Sequence, residues 1–470
     1  MRRPRIGLLA PFVSYYEKIA PLRAEKELFA AELDELLGGI CEVMGGGLVD
    51  SEAAARASGE AFLAAEVDAV IVAPTLAVFG ALPWAAVEAL PPSLPIAIWR
   101  IAPLRTVPAD YEIRALIRNS GTLGAMALGN TLARKGRVFR IFDDQPQAGD
   151  LPEAIRSFIF ASRAAAELRR ARLGLIGSVF PQMTDILMDT EEWTRATGSE
   201  VIAVSPGEFT RACLAVSDRA LEEAVGQIIA WHSVDDISED ELRRSMRISL
   251  ALDELAQRLS LSGGAFNCHG ENCLQNPALG LTGCYAVSKQ TSEGRPFSCT
   301  GDLPTAVALL IAKHLSGATI YGELDMVDEE RDLALLANGG EGDAAFSTRP
   351  MNIFGNENFT GLMGRGASVS VASPEGAATL LSFTPLENQG YRLIVAEGSL
   401  DPSVRTALKG FHAGFRFAGK SARRGLRDWI EAGATHHLAV ALGRQAKAIK
   451  LIGEIFHWEV RTVAVHEEIE

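Results

Sequence analysis

Cysteine is scarce in this sequence, with six in 470 residues, four of them crowded between positions 268 and 299. That number and spacing exclude the disulfide framework of a small secreted protein. Basic residues are in the minority: 45 Lys and Arg against 59 Asp and Glu leave a net charge of −14. A nucleic-acid partner, whose phosphates need a basic face, is not expected, and an anionic membrane surface would repel the chain. Nowhere does an apolar run approach the ~18 residues of a spanning helix, so no membrane segment is expected. The opening Met1-Arg2-Arg3-Pro4 is followed by Ile6–Ala10, a run too short for a signal peptide and without a small-residue cleavage site. It reads instead as a first buried strand. Repeats of 20–50 residues and low-complexity segments are also missing. What is present is a globular composition, 48% hydrophobic and 22% charged, over a length that calls for two or three domains. A cytoplasmic, multidomain protein is the expectation.

The pattern of apolar runs predicts an α/β fold. Strands are expected at Arg5–Pro11, Ile40–Met44, Val67–Pro74 and Leu94–Trp99, with helices at Lys18–Leu37 and Ser51–Ala65 between them. The near-continuous apolar run VDAVIVAP suits a strand buried on both faces, and the β-α-β order implies a parallel sheet with right-handed crossovers. A second unit follows, with strands at Arg172–Gly177 and Glu200–Val204 and helices at Gln182–Thr197, Arg219–Trp231 and Asp240–Leu259. Ser238 and Glu241 stand at capping-box spacing before the last of these. Further strands are expected at Gly264–Asn267 and Ile320–Asp325, flanking a helix at Leu303–Leu315. Beyond residue 346 a stretch rich in Gly, Asn and Pro leads into short strand-like runs, which read as an antiparallel sheet or small barrel. The expected division is 1–165 and 166–345, both α/β and doubly wound, then a β-barrel domain over 346–470.

Three groups of residues could support chemistry. Gly45-Gly46-Gly47 follows a strand but matches neither a dinucleotide fingerprint nor a P-loop, and reads as a flexible turn. Asn267-Cys268-His269-Gly270-Glu271-Asn272-Cys273 holds thiols beside an imidazole, types suited to a transition metal or a nucleophile, on a loop at a strand's carboxyl end. Its spacing is not that of paired C-x2-C zinc knuckles. The third group is dispersed: Cys299-Thr300-Gly301-Asp302 before a helix, Tyr321-Gly322-Glu323-Leu324-Asp325 at a strand end, and Thr435-His436-His437 before a strand. Carboxylates at strand ends with a distant histidine can hold a divalent cation. Asp302 is equally suited to the start of a helix, where a carboxylate meets the helix dipole.

With these residues in view the chain resembles the L-fucose/L-arabinose isomerase superfamily. The resemblance rests on five segments in order. Pro74–Val78 is similar to an N-terminal family segment, and RLGLIG with Met183-Thr184-Asp185 and Glu200-Val201 resembles the second α/β unit. CTGDLPTAVALLIAKHLS is similar to the family's C-E-G-D helix segment. Val369–Ala372 with YRLIVAEG, and GATHHLAVAL, resemble strands of its C-terminal barrel and its terminal histidine motif. The resemblance implies two Rossmann-like α/β domains and a barrel, assembled as a homo-oligomer, trimer or hexamer. It implies aldose–ketose interconversion of a pentose, hexose or related polyol through an enediol, helped by a divalent metal, Mn2+ in type.

Carried over residue by residue, the resemblance assigns the terminal histidine to His437 and the strand-end acid to Glu323, with Asp325 as a competitor. The Glu of C-E-G-D falls on Thr300, and a loop histidine of arabinose-type members falls near Asn338. Glu323 and Asp302 are then the expected catalytic carboxylates, and Glu323, Asp325 and His437 the metal ligands. Glu341 and Asp343 are further carboxylates that could make up for the missing one. Tyr15, Tyr16, Trp84, Cys268, His269, Thr300, Asn338 and His436 are the expected substrate contacts. Two other classes stay open: thiol-dependent chemistry on the same fold at Cys268, His269 or Cys299, and sugar binding without turnover.

Overall fold

A computed structural model describes residues 2–146, 149–356, 365–387 and 390–466, and the chain divides into two units, Arg2–Ala166 and the remainder from Glu167. In the first, strands β1 (Arg5–Pro11), β2 (Glu42–Val49), β3 (Ala69–Val72), β4 (Ile96–Trp99) and β5 (Arg140–Phe142) form one sheet in the order β2-β1-β3-β4-β5. Every pairing is parallel. Every residue of β3 and β4 is buried, as parallel strands covered on both faces require. The Gly45–Gly47 run is not a turn but the interior of β2, where the register against β1 shifts between Leu8 and Ala10. Gly45 has φ +98°, and a Cβ there would meet the Leu8 carbonyl at 2.5 Å. The glycines therefore permit a bulge and a close strand approach.

The second unit begins with β6 (Arg172–Ile176), β7 (Glu200–Val204), β8 (Val234–Asp235), β9 (Gly263–Phe266) and β10 (Phe297–Cys299). Four of these make a parallel sheet in the order β10-β9-β6-β7. The strand order reverses between β6 and β9, and the crevice at the carboxyl ends of strands beside such a reversal is where open α/β sheets place ligands. The helix Glu239–Arg258 opens with the expected capping box of Ser238 and Glu241. The Gln182–Thr197 helix is interrupted: a 3-10 turn at Thr184–Ile186 precedes a shorter helix, Thr190–Thr197, capped by Asp189.

A closed barrel completes the unit. Its strands are β11 (Thr319–Asp328), β12 (Leu333–Ala337), β15 (Gly376–Leu386), β16 (Gly390–Asp401), β17 (His412–Phe417) and β18 (His437–Leu442). They run β15-β18-β11-β12-β17-β16, β16 pairs back to β15, and β19 (Glu459–Ala464) is added parallel to β16. The barrel thus takes its first strand at Thr319, ahead of the expected boundary at 346. The strands β13 (Ile353–Gly355) and β14 (Ala367–Val369) return to the α/β part, where β13 pairs with β8. Ile353 and Ala367 pack there with Leu221, Val225, Ile228, Leu242 and Met246. Residues 357–364 of the Gly/Asn/Pro-rich stretch lie outside the described residues. No helix among the described residues is long and apolar enough to cross a membrane.

Helix Leu303–Ser316 joins the parallel sheet to the barrel and is buried at twelve of its positions, packing on β9, β10, β11, β15 and β18. Its one ammonium, Lys313, is buried and pairs with buried Asp343 at 2.5 Å. Asp343 also accepts from the backbone N–H groups of Thr319 and Ala345. Lys313→Met removes one partner of a buried pair and is expected to cost about 3–5 kcal/mol, read as a lowered urea midpoint. A midpoint within error of the parent would show that Asp343 is served by its backbone donors without the lysine.

Candidate active site

Asp302, Glu323 and His437 come from three separate places in the chain and meet in space. Asp302 lies just past β10, where Thr300 (φ +54°) and Gly301 (φ +78°) reverse the backbone. A left-handed conformation is rare for a β-branched residue, and a Cβ on Gly301 would meet the Ser178 carbonyl at 2.6 Å. This reversal sets Asp302 as the N-cap of helix Leu303–Ser316, its Oδ1 accepting from the Thr305 N–H at 2.8 Å. Its Oδ2 accepts from His437 Nδ1 at 2.7 Å. The antiparallel register of β11 and β18 puts Glu323 directly opposite His437, so both side chains project from one face. His437 Nε2 stands 3.4 Å from Glu323 Oε1.

Electrostatics follow from burial. The His437 side chain is 2% exposed and Asp302 fully buried, while Glu323 is 34% exposed. Burial opposes charge on His437, but hydrogen bonds to Asp302 and Glu323 win and push its pKa up to about 9. Burial likewise works against the Glu323 charge, yet His437 leaves that carboxyl below its usual value. The Tyr321 hydroxyl, two residues before Glu323 on the same strand face, lies 3.4 Å from Glu323 Oε1. Burial, then the Glu323 charge, hold that phenol well above its ordinary pKa, so it stays a donor.

Other expected site residues sit around this centre in different roles. Asp302, expected as a proton carrier, is fully buried with both oxygens engaged, so its part is to orient His437. Asp325 is exposed beside a register shift in β11, and burial, then the Glu323 charge, raise its pKa. Asn338, expected at a contact position, is buried and ties its own loop: its amide donates to the carbonyls of Tyr321 and Glu341 and accepts from Gly340 N–H. Thr300 is buried, and its Oγ1 has no hydrogen-bond partner among the described residues. His436 is exposed, its Nδ1 on Asp185 Oδ2 at 2.5 Å and its ring 3.7 Å from the His437 ring. Glu341 is buried, and burial, with the Glu323 charge also contributing, raises its pKa.

Cys268 and His269 follow β9, at the strand reversal. His269 lines a cavity of about 420 Å³ with Ser178, Phe180, Gln182, Asn267 and Asn272 among its neighbours. The aromatic residues expected to contact sugar belong to the first unit. Tyr15 is 73% exposed just past β1, while Tyr16 and Trp84 pack against that unit's core. Lys135 lies over the Trp84 ring at 5.5 Å, so that indole face is already covered. Tyr321 and Asp185 join the site without a local sequence signal, because neither strand register nor the approach of the 184–186 turn to His436 can be read from residue order.

No family model matches this chain. Its likeness is to a sugar isomerase. The sulfoquinovose isomerases of Priestia aryabhattai and Priestia megaterium are each 21% identical to it over 374 residues, 78% of this chain and 79% of theirs. A solved ABC transporter solute-binding protein from Burkholderia multivorans aligns over 66% of this chain and 93% of its own, with 14% identity and a TM-score of 0.16. That superposition is too poor to bear on fold or function.

One pair of donors at the centre, His437 and Glu323, is spaced as neighbouring ligands of a divalent cation would be. Ligand bonds of roughly 2.0–2.2 Å at tetrahedral or octahedral angles separate neighbouring donor atoms by roughly 3.0–3.5 Å. Nε2 of His437 and Oε1 of Glu323 fall in that interval. A carboxylate behind the far ring nitrogen, here Asp302, is the usual support for a ligating histidine. Asp325, two residues beyond Glu323, is exposed at the bulge in β11, and the buried Thr300 Oγ1 has no hydrogen-bond partner among the described residues.

Proposed function

We propose that this protein is an aldose–ketose isomerase that moves a proton between adjacent carbons of a pentose or hexose through an enediol. The observation that carries this reading is Glu323 facing His437 Nε2 across β11–β18 with Asp302 buried behind the imidazole. The likeness to sulfoquinovose isomerases supports the sugar-isomerase class. Membership of the L-fucose/L-arabinose isomerase superfamily, with its trimeric or hexameric assembly and cytoplasmic setting, is part of the same proposal.

Of the three carboxylates Asp302, Glu323 and Glu341, Glu323 is the one that a substrate can reach, since the other two are buried. Its Oε1 faces His437 and Tyr321, so Oε2 is the atom assigned to take the proton from the carbon next to the carbonyl and return it to the neighbour. Asp302 holds the Nδ1–H of His437 and so directs Nε2 toward the reacting oxygens. A divalent ion such as Mn2+, held by Glu323, His437 and Asp325, would polarise the sugar's carbonyl and hydroxyl oxygens and stabilise the enediolate. Thr300 replaces an anionic ligand with a neutral hydroxyl, and Asp325 makes up the charge.

The test is incubation in D2O with Mn2+ and a panel of aldoses that includes neutral pentoses and hexoses and a 6-sulfonated hexose. Isomer formation with deuterium at the carbon beside the carbonyl is expected for at least one sugar. Neither isomer nor exchange across the panel would overturn the proposal.

A further inference from the structure

The Glu323–His437 pair makes no use of the thiols on the neighbouring sheet edge. All six cysteines are free and buried, and two of them are brought together by topology. Cys299 ends β10 and Cys268 follows β9; the two strands are parallel neighbours with Cys299 registered against Phe266. The Cys268 and Cys299 sulfurs lie within 4.8 Å of each other, close enough for each thiol to shift the other's titration. His269 adds an imidazole: both sulfurs and one of its ring nitrogens lie within 4.8 Å of one another.

We propose that Cys268, His269 and Cys299 bind one borderline-soft divalent cation of the zinc type, at a site distinct from the Glu323–His437 pair. Zinc–sulfur bonds of ~2.3 Å and zinc–nitrogen bonds of ~2.0–2.1 Å place tetrahedral donors roughly 3.4–3.8 Å apart. The cluster needs a contraction of at most about 1.4 Å between any two donors to reach that geometry. Two thiolates neutralise a divalent charge, and sulfur favours zinc over manganese or magnesium. Binding releases one proton from each thiol to solvent as each sulfur becomes a thiolate ligand. His269 opens on the 420 Å³ cavity, which gives the ion a way in.

A second observation points the same way. Glu341 is buried against the Cys299 and Cys284 thiols, and its Oε2 has no nitrogen or oxygen hydrogen-bond partner among the described residues. A cation at the cluster would place a positive charge near this buried carboxyl, and a solvent molecule from the cavity would complete the coordination. The competing account is that the cysteines simply fill the core as small apolar side chains. That account has to keep a buried acid beside the thiols with no cation near it.

Cobalt(II) titration of the reduced, full-length protein separates the two, because thiolate ligation produces a near-ultraviolet sulfur-to-cobalt charge-transfer band. Carboxylate and imidazole ligands do not. One equivalent of Co2+ per chain is expected to develop the band, Zn2+ to abolish it by displacement, and Cys268→Ser and Cys299→Ser to lose it. His269→Gln, on the cavity wall, should weaken Co2+ binding by about tenfold or more and serves if a serine variant does not fold. Glu323→Gln should leave the band intact, so the site stands or falls apart from the isomerase reading. Absence of the band in the parent protein overturns the proposal, as does a band unchanged in both serine variants.

Discussion

Glu323→Gln is expected to lower the isomerisation rate constant by roughly 10²–10⁴-fold, the usual contribution of a positioned general base. The change is nearly isosteric, and its amide oxygen can still accept from His437 Nε2, so the fold should be kept. What disappears is a carboxylate able to take a proton, and one of the two negative charges proposed to hold a divalent ion. Because the side chain is partly exposed and its Oε1 faces His437 and Tyr321, the loss should fall on kcat more than on KM. Deuterium exchange at the carbon beside the carbonyl should drop in parallel, since both readouts share the proton-removal step. A variant that keeps rates within tenfold of the parent would remove Glu323 from the reaction.

Asp302→Ala is expected to destabilise the protein by about 3–5 kcal/mol, the cost of stranding a buried charge. Here the stranded group is His437, whose side chain is 2% exposed. Loss of the N-cap of helix Leu303–Ser316 adds about 1 kcal/mol. Asp302→Asn separates the two effects, because asparagine caps well but has no charge. The pH dependence follows from the raised pKa of His437, about 9 in the folded chain against roughly 6.5 when unfolded. In the metal-free protein the stabilisation is fully present below ~pH 6.5 and fades as pH rises through about 9, where the folded chain releases the proton. The gap between the parent and Asp302→Asn in urea titrations should therefore be widest near pH 6 and narrow by pH 9 to 10. A gap constant over that range would mean that His437 is not charged in the folded state.

Much of the local structure is legible from residue order. Arg5–Pro11 and Glu200–Val204 are strands over the expected residues, and Ser238 and Glu241 form the capping box that their spacing implies. Asp302 is the helix cap that its position suggests. These features depend on neighbours within about four residues. Residue order at glycines 45–47 suggests a turn, and only the partner strand, with Leu8 against Gly45, shows that they form a bulge. The expected boundary at 346 failed for a related reason. Composition changes there, but β11 and β12 had already joined the barrel by pairing with β18 and β17.

The site divides along the same line. Glu323, His437, Asp302, Cys268 and Cys299 could all be picked out as chemically able residues at strand ends. Residue types and periodicity therefore determined that this is an acidic α/β protein with carboxylates, thiols and histidines at the ends of its strands. Tertiary structure decided what those groups do. Register opposes Glu323 to His437, the Thr300–Gly301 reversal buries Asp302 behind the imidazole, and parallel pairing of β9 and β10 joins Cys268 to Cys299. Each of these contacts links residues between 31 and 135 positions apart, where the chain's local preferences impose no distance and only packing in the folded state can.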